Sequence, residues 1–422
     1  MVEDFLYYVW QYKTYQFPLT TVDGQEIKII RPGIKNDNAG PDFTEAIIRI
    51  GETQWAGSIE MHIKSSDWMK HGHNNNDAYD SVILHVVYEH DMDIKTNGGN
   101  KLDVLELKER IAKGQYAKYK KLISSSSWIP CSNQISQVND LTIYSWLDRL
   151  LVERLENKTE YIESLLVEYS NNWEQVFYIS LARNFGFNTN SIGFEQLAKY
   201  TPIEVLARYK DNIFQLEALL FGQADLLNSK LKDDYVQELL KEYEFLKKKH
   251  NLNAMYSYQW KFMRMRPVNF PTVRIAQFAQ LIHKSSHLFS VFIETEKLTE
   301  LQKFFDVNVS QYWKEHYVLG KKSKKVEKRF GKSSFDLLLI NTLVPFLFVY
   351  ANHHYSEELK SRALIFLQHT NAENNIIVKR FAKEGVVAHH AAHSQALLQL
   401  KNNYCSNINC LKCAIGLQII SK

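Results

Sequence analysis

The chain has 422 residues, which is long enough for two or three domains. Hydrophobic residues make up 45% of the chain and charged residues 23%, a balance that excludes an intrinsically disordered protein. The net charge of +4 permits a local basic groove for nucleic acid but does not require one.

The first 15 residues contain Glu3 and Asp4 and lack the apolar core and small-residue cleavage site of a signal peptide. The most apolar run, residues 337–351, is interrupted by Asn341, Thr342 and Pro345, and it predicts a buried helix rather than a membrane span. We therefore expect a cytoplasmic protein with no membrane partner. The oligomeric state is left open by the sequence.

The first 110 residues predict a short helix within residues 2–15, followed by a strand-rich region. The predicted strands cover residues 25–31, 43–50, 55–63, 82–89 and 102–107. In the third of them Ile59 and Met61 face one way, and Glu60 and His62 the other. We expect the apolar face to pack and the polar face to line a cleft.

After Pro130 the apolar spacing changes to three and four, which is typical of amphipathic helices. The sequence therefore predicts an α+β protein, with a β-rich mixed domain over residues 1–125 and a large all-helical domain over residues 126–422. The small-residue run at 124–127 marks the predicted boundary.

The clearest indication of a catalytic site comes from acidic residues on two neighbouring predicted strands. Asp42 follows Pro41 at the start of one predicted strand, and Glu60 and His62 share a face of the next. The pattern resembles that of the PD-(D/E)xK nuclease superfamily, with His62 where a lysine usually stands. The resemblance implies a nuclease in which Asp42 and Glu60 bind Mg²⁺ or Mn²⁺ and His62 positions the attacking water. Unlike that superfamily, residues 65–81 show no obvious helix after the second acid.

The same stretch also offers a histidine-based metal site. His62, His71, His73 and His85, with Asp77, supply donors suited to Zn²⁺, Mn²⁺ or Fe²⁺, and an extended loop would project His71 and His73 together. We therefore include His71 and His73 among the candidate metal ligands. The alternative is that these groups are hydrogen-bonded structural residues, and His85, which lies inside an apolar run, is typical of one.

Three cysteines cluster at the C-terminus in the pattern Cys405-x4-Cys410-x2-Cys413, and the fourth, Cys131, lies near the predicted domain boundary. This spacing predicts a structural site for Zn²⁺ or an iron–sulfur cluster that ties the C-terminus back to the boundary. The arrangement loosely resembles the iron–sulfur clamp of some nucleases of the same superfamily. The alternative is a set of reduced thiols near a frayed end.

Two basic segments are candidates for contact with nucleic acid. The first carries Arg264, Arg266 and Arg274 among aromatic residues, and the second is a loop that contains Lys321, Lys322, Lys324 and Lys325. A solvated mobile loop explains the lysines equally well, and a helix core explains the aromatic residues.

The segments 40–91, 264–277 and 404–416 together resemble a bacterial family classed as a domain of unknown function, and this resemblance implies no activity. We therefore keep two hypotheses for the chain. One is a metal-dependent nuclease or phosphodiesterase that acts on nucleic acid. The other is a non-enzymatic nucleic-acid-binding or scaffold protein with a structural metal site.

Overall fold

The computed structural model describes residues 1–36, 38–285 and 287–421. Strands are concentrated in the first 110 residues and helices dominate the remainder, which confirms the predicted α+β class. The strands are β1 (Leu19–Thr20), β2 (Glu26–Arg31), β3 (Ile34–Lys35), β4 (Phe43–Ile50), β5 (Thr53–Lys64), β6 (Val82–Glu89), β7 (Val104–Glu106), β8 (His316–Val318) and β9 (Lys321–Lys322).

The helices follow one another through most of the chain after the sheet. They are α1 (Glu3–Gln11), α2 (Asp67–Lys70), α3 (Gln115–Ile123), α4 (Asp140–Glu168), α5 (Trp173–Phe185), α6 (Phe187–Tyr200), α7 (Ile203–Ala207), α8 (Ile213–Gln223), α9 (Asp234–His250), α10 (Pro271–Lys284), α11 (Leu288–Glu294), α12 (Leu298–Phe305), α13 (Gln311–Lys314), α14 (Lys332–Leu338), α15 (Val344–His353), α16 (Glu357–Gln368), α17 (Ile376–Lys383), α18 (Ala391–Gln399) and α19 (Ala414–Ser421). π-helical turns extend two of these helices, at Leu339–Leu343 and Leu400–Cys405.

The chain divides into two compact units. The first contains residues 1–147, 379–386 and the described residues from 398 onward, and the second contains residues 148–378 and 387–397. The first unit thus extends beyond residue 125, where the small-residue run suggested a boundary, and it includes the clustered cysteines.

The first unit is built around a seven-stranded mixed sheet. Strands β1, β2, β4 and β5 pair antiparallel in that order, β3 also pairs with β4, and β6 and β7 continue the sheet in parallel. Parallel neighbours require a crossover connection, which here runs through residues 65–81 between β5 and β6. This crossover contains α2 and two 3₁₀ turns, His73–Asn75 and Asp77–Tyr79.

Strand β5 lies in the middle of this sheet and is covered on both faces over its second half. All five residues from Ser58 to His62 are buried, because α1 packs on the strand while the crossover covers it as well. The prediction of one packed face and one open cleft is therefore too simple. Trp55, which was expected to pack, is 45% exposed.

The helix that continues from Lys332 to His353 lies in the second unit. By length and composition it could cross a membrane, but 72% of its apolar window is buried within the protein, as in the core helix of a folded domain. Its burial agrees with the buried helix that the interrupted apolar run predicts.

Candidate metal centre

Three histidines bring their ligand atoms together above β5. They are His62 on the strand, His71 at the end of α2 and His73 in the turn that follows, and one nitrogen of each lies within 4.8 Å of the others. Gly72 lies between the last two with a φ of 75°, a left-handed conformation that glycine adopts without strain. His71 and His73 thus come together through a tight turn, and not through the extended loop that the sequence suggested.

Glu60 completes the group on the same face of β5. Its Oε1 lies 3.2 Å from His73 Nε2 and 3.6 Å from His62 Nε2. The contact with His73 lacks the angles of a hydrogen bond, so His73 Nε2 is a buried polar atom without a hydrogen-bond partner. A nitrogen and a carboxylate oxygen that approach this closely without a hydrogen bond are arranged as two ligands of one cation would be.

The protonation states suit a metal ion as well. Burial, reinforced by the charge of His71, lowers the pKa of His62 to about 3 and that of His73 to about 4. Both imidazoles are therefore neutral at pH 7 and have a lone pair to donate. Burial, together with the charge of Asp42, raises the pKa of Glu60 to about 8 in the absence of a cation. The residues present fit a divalent ion, which would offset the cost of a buried carboxylate.

Asp42 lies beside Glu60, as the strand pattern predicts. Its Oδ2 accepts a hydrogen bond of 2.9 Å from the Met61 N–H, and its own N–H donates to Glu60 Oε2 at 3.1 Å. The Tyr7 hydroxyl on α1 also donates to the Asp42 carboxylate, whose pKa burial nevertheless raises. Tyr7 belongs to the predicted N-terminal helix, and no local signal in the sequence links it to this site.

His85 on β6 contacts the ring nitrogen of His62 that is not shared with His71. Its Nε2 lies 2.8 Å from His62 Nδ1, and its ring packs against Trp68 at a centroid distance of 5.3 Å. His62 Nε2 in turn lies 3.0 Å from His71 Nδ1. His85 is fully buried, as expected for a core histidine, but its partner is a residue of the site.

Two acids near the histidines serve other purposes. Asp67 accepts hydrogen bonds from the Lys64 N–H at 3.0 Å and from Lys70 Nζ at 2.5 Å. Asp77 accepts one from Asn97 Nδ2 at 2.7 Å. Both carboxylates therefore brace turns rather than join the histidine group.

The candidate nucleic-acid contacts lie in the second unit and differ in exposure. Arg264 and Arg266 are exposed, and so are all four lysines, namely Lys321, Lys322, Lys324 and Lys325. Arg274 is only 5% exposed, and its guanidinium donates hydrogen bonds to Gln277, Asn269 and Ser334. Because these partners hold it inside the helical unit, Arg274 is not available to a phosphate group.

The aromatic residues of that segment divide in the same way. Trp260 is buried and donates a hydrogen bond of 2.8 Å to the Ala224 carbonyl, which is the core role considered above. Tyr256 and Tyr258, just before it, are 67% and 80% exposed and stack on each other at 5.8 Å. The sequence analysis missed these two, because spacing alone does not separate exposed from buried aromatic residues.

All four cysteines lie in the first unit and line a single cavity, with Pro130, Tyr404, Asn409 and Gly416. Burial raises the pKa of Cys131 and that of Cys410 to about 12, so both are thiols when no metal is bound. Cys131 and the C-terminal three thus lie around one pocket, and a metal bound there stays a prediction.

Residues 3–376 match the family described as "Protein of unknown function (DUF2851)". The match includes the sheet and the histidine group and ends before the clustered cysteines. No curated protein and no solved structure matches the chain. Because the family match extends over most of its length, the chain belongs to the DUF2851 family.

Proposed function

We propose that the first unit binds a divalent metal ion and hydrolyses phosphodiester bonds of nucleic acid. The observation that carries the proposal is the group formed by His62, His71, His73 and Glu60, in which a buried imidazole nitrogen faces a carboxylate oxygen without a hydrogen bond. Asp42 lies beside it just before the neighbouring antiparallel strand, where the nuclease pattern places its first acid.

The donor set favours Mn²⁺ over Mg²⁺. Three imidazoles and one carboxylate suit a transition-metal ion, whereas Mg²⁺ prefers oxygen ligands and retains several waters. Zn²⁺ shares the preference for imidazole, so both Mn²⁺ and Zn²⁺ belong in any assay. His71 is the exposed member of the group and marks the side from which substrate would approach.

The residues take distinct roles in this proposal. A bound divalent ion would supply Lewis-acid stabilisation of the phosphate oxygens. His62, His71, His73 and Glu60 would hold it. In the hydrolysis the water oxygen bonds to phosphorus, one P–O ester bond breaks, and the leaving oxygen gains a proton. Asp42, fixed by Tyr7 and the Met61 N–H, orients Glu60 through the adjoining backbone.

The second unit would supply contacts with the nucleic acid. The exposed Tyr256 and Tyr258 can stack on bases, and Arg264 and Arg266 can pair with phosphates. Such contacts give binding that ignores sequence and weakens as salt increases. Fluorescence anisotropy with a labelled single-stranded oligonucleotide would show weaker binding for the double variant Arg264→Ala/Arg266→Ala.

The proposal is tested with metal-free full-length protein. Mn²⁺, Zn²⁺ or Mg²⁺ is added, and cleavage of labelled DNA and RNA and of bis(p-nitrophenyl) phosphate is followed. We expect Mn²⁺-dependent cleavage that Glu60→Gln and His62→Ala reduce by about 10²–10⁴-fold. His90→Ala is the matched control, because His90 lies just after β6 and bonds to Ser65 Oγ at 2.8 Å, outside the group. Equal activity of wild type and Glu60→Gln would rule out the proposed role.

The burial of the site favours one alternative function. Glu60, His62 and His73 are 4%, 2% and 8% exposed, as expected for the ligands of a structural metal ion in a non-enzymatic binding or scaffold protein. In that case the wild-type protein binds one metal ion at this site and cleaves none of the substrates, while His62→Ala loses both the metal and thermal stability.

A further inference from the structure

The four cysteines converge from three separate segments of the first unit. Cys131 follows Pro130, and Cys405 ends the π-helical turn after α18. Cys410 begins the 3₁₀ turn Cys410–Lys412, and Cys413 directly follows that turn. All four line one partly open pocket, together with Pro130 and Tyr404. No short-range pattern requires Cys131 to meet the C-terminal three, so this convergence belongs to the tertiary fold.

Burial raises the pKa of the Cys413 thiol, and hydrogen bonds from the backbone act against that shift. Cys413 directly precedes α19, and its Sγ accepts hydrogen bonds from the N–H groups of Ile415 and Gly416 in the first turn. N–H groups at a helix start favour a thiolate over a thiol. Gly416 is required there, because a Cβ at this position would lie 2.3 Å from the Cys410 carbonyl oxygen. This close contact fixes the backbone at Cys410 relative to the start of α19, next to Cys413.

The separation of the sulfurs distinguishes between the two kinds of metal site. A single tetrahedral Zn²⁺, with Zn–S bonds of about 2.3 Å, holds its sulfurs about 3.8 Å apart. Within the described residues, three ligand atoms that all lie within 4.8 Å of one another occur at the histidine group and not among the four sulfurs. In an iron–sulfur cluster the iron and sulfide atoms lie between the ligating sulfurs and keep them farther apart.

We infer that Cys131, Cys405, Cys410 and Cys413 bind an iron–sulfur cluster. Four thiolates are the usual ligand set for such a cluster, and all four cysteines line one pocket. Lys401, whose charge acts on Cys405, offsets part of the negative charge of the thiolates. The cluster would link the segment before α4 to the C-terminal residues within the first unit.

The test is the metal and sulfide content of the full-length protein, purified without oxygen. We expect iron and acid-labile sulfide in equal amounts, about two or about four of each per chain, with a broad charge-transfer absorbance in the visible range. Sulfide separates this cluster from iron bound at the histidine group. One zinc ion and no sulfide, or no metal at all after anaerobic purification, would overturn the inference.

Variants then locate the cluster. Cys410→Ser is expected to lose most of the iron, the sulfide and the visible absorbance, whereas Ser406→Ala, an exposed neighbour of Cys405, retains them. His62→Ala also retains them, so failure of the hydrolytic proposal and failure of this one give different results. If Cys410→Ser fails to fold, metal-free wild-type protein is reconstituted instead. Recovery of the visible absorbance with iron and sulfide supports the cluster. Recovery of stability with Zn²⁺ alone contradicts it.

Discussion

His85 contacts the proposed metal centre without being one of its proposed ligands. Its Nε2 lies 2.8 Å from His62 Nδ1, so it fixes the ring orientation that points the other nitrogen of His62 at the histidine group. Partners of this kind set the tautomer and basicity of a ligand, and their loss weakens metal binding by about 10–100-fold.

We therefore expect His85→Phe to weaken Mn²⁺ binding by about 10–100-fold, because His62 loses the partner that orients it. Competition with a chelating indicator would measure the change. His90→Phe, which alters a histidine outside the group, should leave the affinity within about twofold of wild type, well below the loss expected from an orienting partner. Similar losses in both variants would show that His85 has no special relation to the site.

Glu60 gives a prediction about pH in the metal-free protein. Burial raises its pKa to about 8, whereas an unfolded glutamate titrates near 4.3. The folded state binds the proton of the Glu60 carboxyl group more tightly than the unfolded state does. Protonated Glu60 therefore contributes fully to stability below about pH 4, and this contribution is lost as pH rises towards 8. His62 and His73 act in the opposite sense, since their lowered pKa values give stability that is lost as pH falls below about 6.5.

Comparison with Glu60→Gln isolates the carboxyl group. Urea unfolding is measured at pH 5 and pH 8 with a chelator present. As pH rises, the free energy of unfolding of Glu60→Gln should increase relative to that of wild type by at most about 1.4 kcal/mol per pH unit. The exposed Glu109→Gln serves as the control and should show no such gain. A pH-independent difference between Glu60→Gln and wild type would mean that Glu60 titrates normally.

The residues that the sequence identifies are those whose spacing within one strand fixes their direction. Glu60 and His62 share a face because strand side chains alternate, and Asp42 joins them through the antiparallel pairing of β4 with β5. Tyr7 depends on a contact between distant elements, so no local pattern reveals it. His85 was recognised in the sequence, but its contact with His62 comes from the pairing of β5 with β6. Arg274 shows the opposite case. It is close in sequence to exposed arginines and looked available for binding, but helix packing buries it.

At the level of elements, the parallel pair β5 and β6 depends on a close approach at Gly57. A Cβ added there would lie 2.5 Å from Ile83 Cγ2 and 2.5 Å from the Ser81 carbonyl oxygen. The backbone oxygen cannot move without shifting the strands. The same two strands hold His62 and His85.

Gly57→Ala is therefore expected to reduce the free energy of unfolding by about 1–3 kcal/mol through overpacking. Gly98→Ala is the matched control, since an added Cβ there has no neighbour closer than 3.8 Å. Thermal unfolding of both variants makes the comparison. A Gly57→Ala protein as stable as Gly98→Ala would mean that the strands separate at little cost.

Five of the seven sheet strands were predicted, whereas the two-residue strands β1 and β3 and the crossover were not. Apolar runs and alternation locate β4 and β6 at their observed bounds, because burial of the sheet imposes those patterns directly. The segment 65–81 is polar and Asn-rich, so its short helix and 3₁₀ turns have no apolar periodicity to reveal them. The turn at Gly72, which joins His71 to His73, therefore emerges only from the structure.

At the scale of the whole molecule, the C-terminus returns to the first unit. Helix α19 packs against α3, and its residues Ile415, Ile419 and Ile420 are buried. The cysteine spacing indicated this return, but the small-residue run near residue 125 did not indicate that the unit continues to Leu147. Contacts between segments hundreds of residues apart leave no trace in local composition.

Ile420→Ala tests the contribution of this return. Because Ile420 is 1% exposed, its truncation should cost about 2–5 kcal/mol of stability in the first unit. Ser421→Ala, an exposed neighbour, should leave stability unchanged within about 0.5 kcal/mol. Denaturant unfolding followed by circular dichroism provides the readout. Equal midpoints for the two variants would show that α19 adds nothing to the unit.

The central claim is that one divalent ion lies among His62, His71, His73 and Glu60. Anomalous X-ray scattering from crystals grown with Mn²⁺, recorded above and below the manganese absorption edge, tests it most directly. The account predicts a single strong peak in the first unit, about 2.0–2.3 Å from one nitrogen of each of the three histidines. A fully occupied manganese peak elsewhere, with none between these side chains, would contradict it.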